Sequence, residues 1–221
     1  MTELIFFNMG LVDYSVALDK QLELVEQVHL NPKKEYIILC KHPEVVTLGR
    51  SSKENDLFAW DGNVLEVSRG GRATYHGPSQ IVIYPIVNLK NSHSLFGAQD
   101  VTGFLRTLEN SLIDFLKLYE INAQGKSIQK NKTAEKEETG VWIGSKKIAS
   151  LGIAVKKWVT YHGAAINIHN DPMAYRGMNP CGFSNQIMTS LESMVNHSLD
   201  ESQITNQLQA ILSKKFCKET T

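Results

Sequence analysis

Three strand-like segments, residues 140–143, 147–155 and 159–168, follow one another with no helix between them. That order argues against a doubly wound parallel sheet, whose strands alternate with helices. Apolar, β-branched runs at 3–8, 36–40, 45–48, 64–67 and 80–87 supply further strands, and 73–76 reads as extended. Pro85 marks an edge strand or a bulge. Helical spacing appears in three stretches. Tyr14, Ala17, Leu18, Leu22, Val25 and Val28 form one stripe, capped by Asp13 and ended by Asn31-Pro32. Val101, Leu105, Leu108, Leu112, Phe115 and Tyr119 form a second. Ile204, Leu208, Ile211 and Leu212 form a third, with Ser198 and Glu201 as its capping box. The expected fold class is α+β, a mixed, largely antiparallel sheet flanked by helices, in one domain over residues 1–221. Residues 124–139, rich in Lys, Glu and Thr, are expected to be a mobile surface loop.

Charge narrows the function classes. Lys+Arg and Asp+Glu each total 23, so the chain is formally neutral and a general nucleic-acid binder is not expected. No apolar run is long enough to span a bilayer, and no basic leader precedes the first one, so no membrane role is expected. Cys40, Cys181 and Cys217 are widely spaced and form no disulfide framework, which points to a reducing, cytoplasmic setting.

Two reactive groups stand out. Cys181 lies in Asn179-Pro180-Cys181-Gly182, an irregular segment that puts a side chain on a loop tip with little cover. A cysteine attacks carbon as its thiolate, and a nearby ammonium favours that form. The bland alternative is a buried structural cysteine, the better reading for Cys40. Lys147 opens a strand, where alternation puts it on one face with Ala149 and Leu151. Such surroundings favour a neutral amine, a usable general base; a solvated strand-end lysine, like Lys146, is the plainer reading. Arg69-Gly70-Gly71-Arg72 lacks the ending of a phosphate loop, but its glycines permit a ligand to approach the backbone. His162 and His169 do not pair as metal ligands, and no metal or cofactor is expected.

Longer stretches carry a resemblance. RGGRATYHGPSQIVIYPIVNL from Arg69, GVWIGSKKIASLGIAVKKWVTYHGAAINI from Gly140 and MNPCGFSNQIMTSL from Met178 resemble three ordered motifs of the octanoyltransferases of lipoate synthesis. His42-Pro43 through Leu48-Gly49-Arg50 is also similar to that family. Ser79 departs from its usual glycine, and 124–139 is longer and more charged than is common there. The resemblance implies a fold like that of biotin and lipoate protein ligases. It maps the catalytic cysteine to Cys181 and the catalytic lysine to Lys147. It implies a substrate pocket from Arg69, Gly70, Gly71, Arg72, Ala73, Thr74, Tyr75 and His76, with Ser150, Leu151, Gly152, Gly163, Ala164 and Ala165.

The implied reaction moves an octanoyl group from octanoyl–acyl carrier protein to a lysine of lipoyl domains, through a thioester on Cys181. The implied acceptors are the lipoyl domains of 2-oxoacid dehydrogenases and the glycine cleavage H protein. Backbone N–H groups near Ser150–Gly152 or Gly70-Gly71 are candidates for an oxyanion site. Small residues at Gly163, Ala164 and Ala165 leave room for an acyl slot. An ATP-dependent ligase on the same fold, a thiol hydrolase and a noncatalytic acyl-binding module stay open beside this reading.

Overall fold

The computed structural model describes residues 2–126 and 139–217. β1 (Glu3–Leu11) runs into α1 (Tyr14–Leu30), which returns the chain to β2 (Lys34–Lys41) in parallel with β1. β3 (Val45–Leu48), β4 (Asn63–Glu66) and β5 (Thr74–His76) form a small sheet in the order β4-β3-β5. β6 (Gln80–Ile86) then enters the main sheet and leads to α2 (Val101–Lys117). β7 (Gln124–Gly125), β8 (Gly140–Ile143), β9 (Lys146–Lys156) and β10 (Val159–Asn167) follow, and α3 (Glu201–Phe216) ends the fold. The main sheet has the order β1-β2-β6-β10-β9-β8-β7, and every neighbour pair after β1–β2 is antiparallel. The expected mixed, largely antiparallel sheet is therefore present.

Alternating side chains divide between two cores. On one face Ile37, Leu39, Ile81, Ile83, Ala164 and Ile166 pack under Phe104, Leu108 and Leu112 of α2 and Ile204, Leu208 and Leu212 of α3. On the other, Tyr36, Ile38, Val82, Tyr84 and Ala165 pack against Tyr14, Ala17, Leu24, Val25 and Val28 of α1. The helical stripes expected from spacing are thus the buried ones in the main. Among the described residues no helix is long and apolar enough to cross a membrane.

Three local expectations are corrected. Pro85 is not on an edge, because β6 sits between β2 and β10. The ladder to β10 instead lapses opposite Pro85, which has no N–H to give, and resumes where Thr160 N donates to the Val87 carbonyl. His162, opposite the lapse, takes a left-handed φ of 56° and turns its ring toward α1. The cap of α3 is Asp200, whose carboxylate accepts from Gln203 N at 2.9 Å; Ser198 lies too far upstream to do so. Of the expected loop at 124–139, residues 124–125 pair as β7 with β8, and residues 127–138 lie outside the described residues.

Candidate active site

β9 opens with two lysines that diverge. Lys146 is exposed and donates to the Gln186 carbonyl, whereas Lys147 is 0% exposed. Simple alternation puts Lys147 on the face of Ala149 and Leu151, and the structure does not. A β-bulge intervenes: Val141 pairs with Ala149 but Trp142 with Lys147, which leaves Ile148 as the extra residue. Ile148, Ala149 and Leu151 all enter the core under α2 and α3. The bulge re-aims Lys147 toward Trp142 and Cys181. Gly140 is required beside it, because a side chain there would collide with Lys147 Cε and the Ala149 carbonyl.

Lys147 Nζ donates to Cys181 Sγ at 3.3 Å, across 34 residues of sequence. Cys181 lies in a 3₁₀ turn at Pro180–Gly182, within an otherwise irregular stretch. The expected loop tip with little cover is not what forms. Cys181 is 4% exposed and packs with Trp142, Phe183 and Ile187. Its backbone is left-handed, φ 55° and ψ 23°, and its N–H donates to the Ala73 carbonyl at 3.0 Å. A non-glycine residue in that region is held there by its surroundings, and here they turn the side chain inward. The other thiols differ. Burial pushes the Cys40 thiol up to about 12, which keeps it protonated, and Cys217 is half-buried just beyond α3.

The expected pocket residues converge only in part. Arg69, Thr74, His76, Ser150, Leu151, Gly152, Gly163, Ala164 and Ala165 line one cavity, joined by Tyr14, Val82, Tyr84 and His162. Thr74 ties it to the cysteine, since the preceding residue, Ala73, accepts the Cys181 N–H. The cavity measures about 20 Å³, room for about one water rather than an open slot. Gly163 does not create space: a side chain there would strike the Ile83 carbonyl and Pro85, so its lack of one serves the packing of β10 on β6. Part of the cavity wall is a set of neutral rings, with the Arg69 guanidinium beside them. Tyr14 Oη and His162 Nδ1 are 3.1 Å apart, and the Tyr14 ring lies 5.4 Å from that of His76. Burial holds His162 down to about 3 and His76 well below its ordinary value, and pushes Tyr14 up to about 12.

The glycine-rich turn is mainly architectural. Arg69 donates to the carbonyls of Thr47, Gly70 and Arg72 at 2.7, 3.0 and 2.9 Å, so its guanidinium knits the turn together. Gly70 N donates to the Ile153 carbonyl and is therefore not a candidate oxyanion donor. Gly152 lets that turn lie close, since a Cβ there would sit 2.9 Å from the Gly70 carbonyl. The missing side chain at Gly152 thus brings backbone to backbone, whereas at Gly70 a Cβ would meet only the Ile153 carbonyl at 3.8 Å. Arg72 pairs with Asp56, and Tyr75 turns toward Glu44 and Asp171. His169 lies apart from His162, beside Glu192 and Glu201. Sequence reasoning missed Asp56, Trp142, Tyr14 and Tyr84, whose places depend on tertiary packing rather than on any local motif.

The family described as lipoyl protein ligase A/B catalytic domain matches residues 13–213. A relative from Bdellovibrio bacteriovorus named octanoyltransferase is 43% identical over 212 residues, covering 95% of this chain and 97% of its own. Among solved structures, lipoate-protein ligase A bound with ATP aligns at a TM-score of 0.68 and 17% identity, over 100% of this chain and 89% of its own. Biotin protein ligase from Aquifex aeolicus aligns at 0.50 and 12% identity, over 97% and 69%. At those identities the structural likenesses speak to the fold, which is the biotin and lipoate protein ligase fold expected from the sequence.

Proposed function

This chain belongs to the octanoyltransferase family of acyltransferases, and from that premise we propose that it moves an octanoyl group from octanoyl–acyl carrier protein to a lysine of lipoyl domains through a thioester on Cys181. The observation that carries the reading is the 3.3 Å contact of Lys147 Nζ with Cys181 Sγ. The attacking form is the thiolate, and the Lys147 amine at 3.3 Å is within reach to take the thiol's proton. The thiolate attacks the donor thioester carbon, forming a new C–S bond. The donor C–S bond breaks, and the departing thiolate takes a proton from Lys147. The acceptor lysine amine then attacks the acyl-enzyme, neutral Lys147 takes the proton it loses, and Cys181 departs as thiolate. Thioester replaces thioester at similar energy and ends as a more stable amide, so the cycle needs no ATP and no cofactor.

The whole chain acts as one catalytic domain in this reading. In this reading the octanoyl chain enters by the cavity walled by Tyr14, Leu151, His162, Ala164 and Ala165, which at about 20 Å³ has to open to admit it. Each methylene buried there is worth about 0.8 kcal/mol. The test is intact-protein mass spectrometry after mixing with octanoyl–acyl carrier protein, without ATP. One added octanoyl group is expected, absent in Cys181→Ala, whose transfer falls to background. An adduct that survives Cys181→Ala removes the acyl-enzyme step from this account.

A further inference from the structure

We propose that Asp56, buried and remote in sequence from both reactive groups, is a positioning residue that holds Cys181 in its reactive conformation. The proposal rests on the acyl-enzyme reading above. Asp56 lies in a 3₁₀ turn at Glu54–Asp56 and is 0% exposed. Its carboxylate accepts from Arg72 Nη2 and, at 3.3 Å, from Arg72 Nε, a two-point grip on the guanidinium. It also accepts from the backbone N–H of Lys53 at 3.0 Å and of Ala73 at 3.4 Å.

The same turn holds the cysteine segment from the other side. The Asp56 carbonyl accepts from Asn179 N at 2.8 Å, and the Asn55 carbonyl accepts from Asn179 Nδ2 at 2.9 Å. Leu57 bridges Met178. Arg72, fixed by Asp56, packs against Gly182, where any Cβ would collide with the guanidinium. Ala73, held by Asp56, offers its carbonyl to Cys181 N. Cys181 therefore sits between a restrained Asn179 and a restrained Gly182, in a left-handed conformation that costs free energy when unsupported. The carboxylate makes the restraint on Arg72 and Ala73 directly, and reaches Asn179 only through the turn it braces at Lys53 N, a turn whose carbonyls hold Asn179. Without its charge, Arg72 loses the grip that presses it on Gly182, and the sulfur can leave its place beside Lys147.

The test compares the wild type, Asp56→Asn and Asp56→Glu, with folding checked by circular dichroism and thermal melting. Three quantities are read: kcat and KM for transfer, the acylation rate by mass spectrometry, and the pH profile of Cys181 alkylation by iodoacetamide. A folded Asp56→Asn is expected to lose roughly a hundredfold in kcat, the scale of a small misplacement at a reacting centre. Its KM should stay nearly unchanged, its alkylation profile should move to higher pH, and Asp56→Glu should recover part of the loss. A folded Asp56→Asn that acylates at the wild-type rate overturns the proposal. If Asp56→Asn does not fold, Arg72→Lys loosens the same grip from its other end and is judged by the same readings. If neither folds, the clamp is a folding element and the positioning role is withdrawn. A wild type that takes up no acyl group, yet shows the alkylation shift in Asp56→Asn, sinks the acyl-enzyme reading and leaves the clamp standing.

Discussion

Two buried polar regions lie either side of the Ala73–Thr74 link, and they differ in what they hold. The corner at Cys181 brings reactive groups together and holds one of them in a left-handed backbone. The cavity at Tyr14, His76 and His162 collects neutral rings, each kept neutral by its own burial. The corner is positioned by the β9 bulge, by Gly140 and Gly182, and by the left-handed backbone at Cys181, features that cost stability unless something else supports them. The cavity is built mainly on regular strands, but it also carries a cost: His162 holds a left-handed φ of 56°, and His76 Nδ1 and His162 Nε2 are buried without a hydrogen-bond partner among the described residues. Each region thus holds one residue in a left-handed backbone, Cys181 or His162, and what separates them is the cargo: an amine touching a sulfur in one, buried rings in the other.

The sharpest attempt to break that contrast is Lys147→Met. It removes the amine from Cys181 and leaves an apolar chain of similar length in a fully buried place. Transfer should fall by about 10²–10⁴-fold, the range for losing a general acid–base group. The melting temperature should hold or rise, because no buried amine remains to be satisfied. A large drop in melting temperature with activity retained would assign the lysine to the fold instead.

Ala165→Leu tests the other region. It pushes a larger side chain into a cavity of about 20 Å³. Stability should fall by about 1–3 kcal/mol, as for other overpacked cores. Donor KM should rise more than kcat falls, and shorter acyl donors should suffer less. Calorimetry and a chain-length series read the two effects, and an unchanged preference would move the acyl chain elsewhere.

The smallest effect near neutrality is on acid stability. His162 is held down to about 3 from an ordinary 6.5, so the unfolded chain binds its proton first as pH falls. Its contribution is complete above about 6.5 and is lost progressively as pH drops toward about 3. His42 and His76 shift the same way, also through burial. Denaturant melts from pH 7 downward should therefore show falling stability, with a shallower slope in His162→Gln. An equal slope in the variant would deny the buried ring its part.

Much of the architecture was legible because it repeats. The period of α2 and the apolar runs of β2, β6 and β10 each record a buried face in several residues at once, so one misplaced residue does little harm. Single-residue expectations fared differently. Alternation put Lys147 on the face of Ala149, and one extra residue in β9 reversed it. Pro85 read as an edge or a bulge, and only the fold chose between them: β6 is internal and its ladder to β10 lapses at that point. Gly163 read as space for a ligand, when the space was already taken by the Ile83 carbonyl.

From the order of residues alone came the three helices, the strand sequence and the three motifs, and the resemblance those motifs carry implied Cys181 and Lys147 over their neighbours. These follow from local periodicity and from motif chemistry, which need no knowledge of distant contacts. Only the folded chain decided that the sulfur is covered rather than presented, that Arg69 donates to the carbonyls of its own turn, and that Asp56 meets both Arg72 and the segment before Cys181. Each of those depends on which atoms meet once the chain has folded. Burial and hydrogen-bond satisfaction are properties of that meeting, and no single residue carries them beforehand.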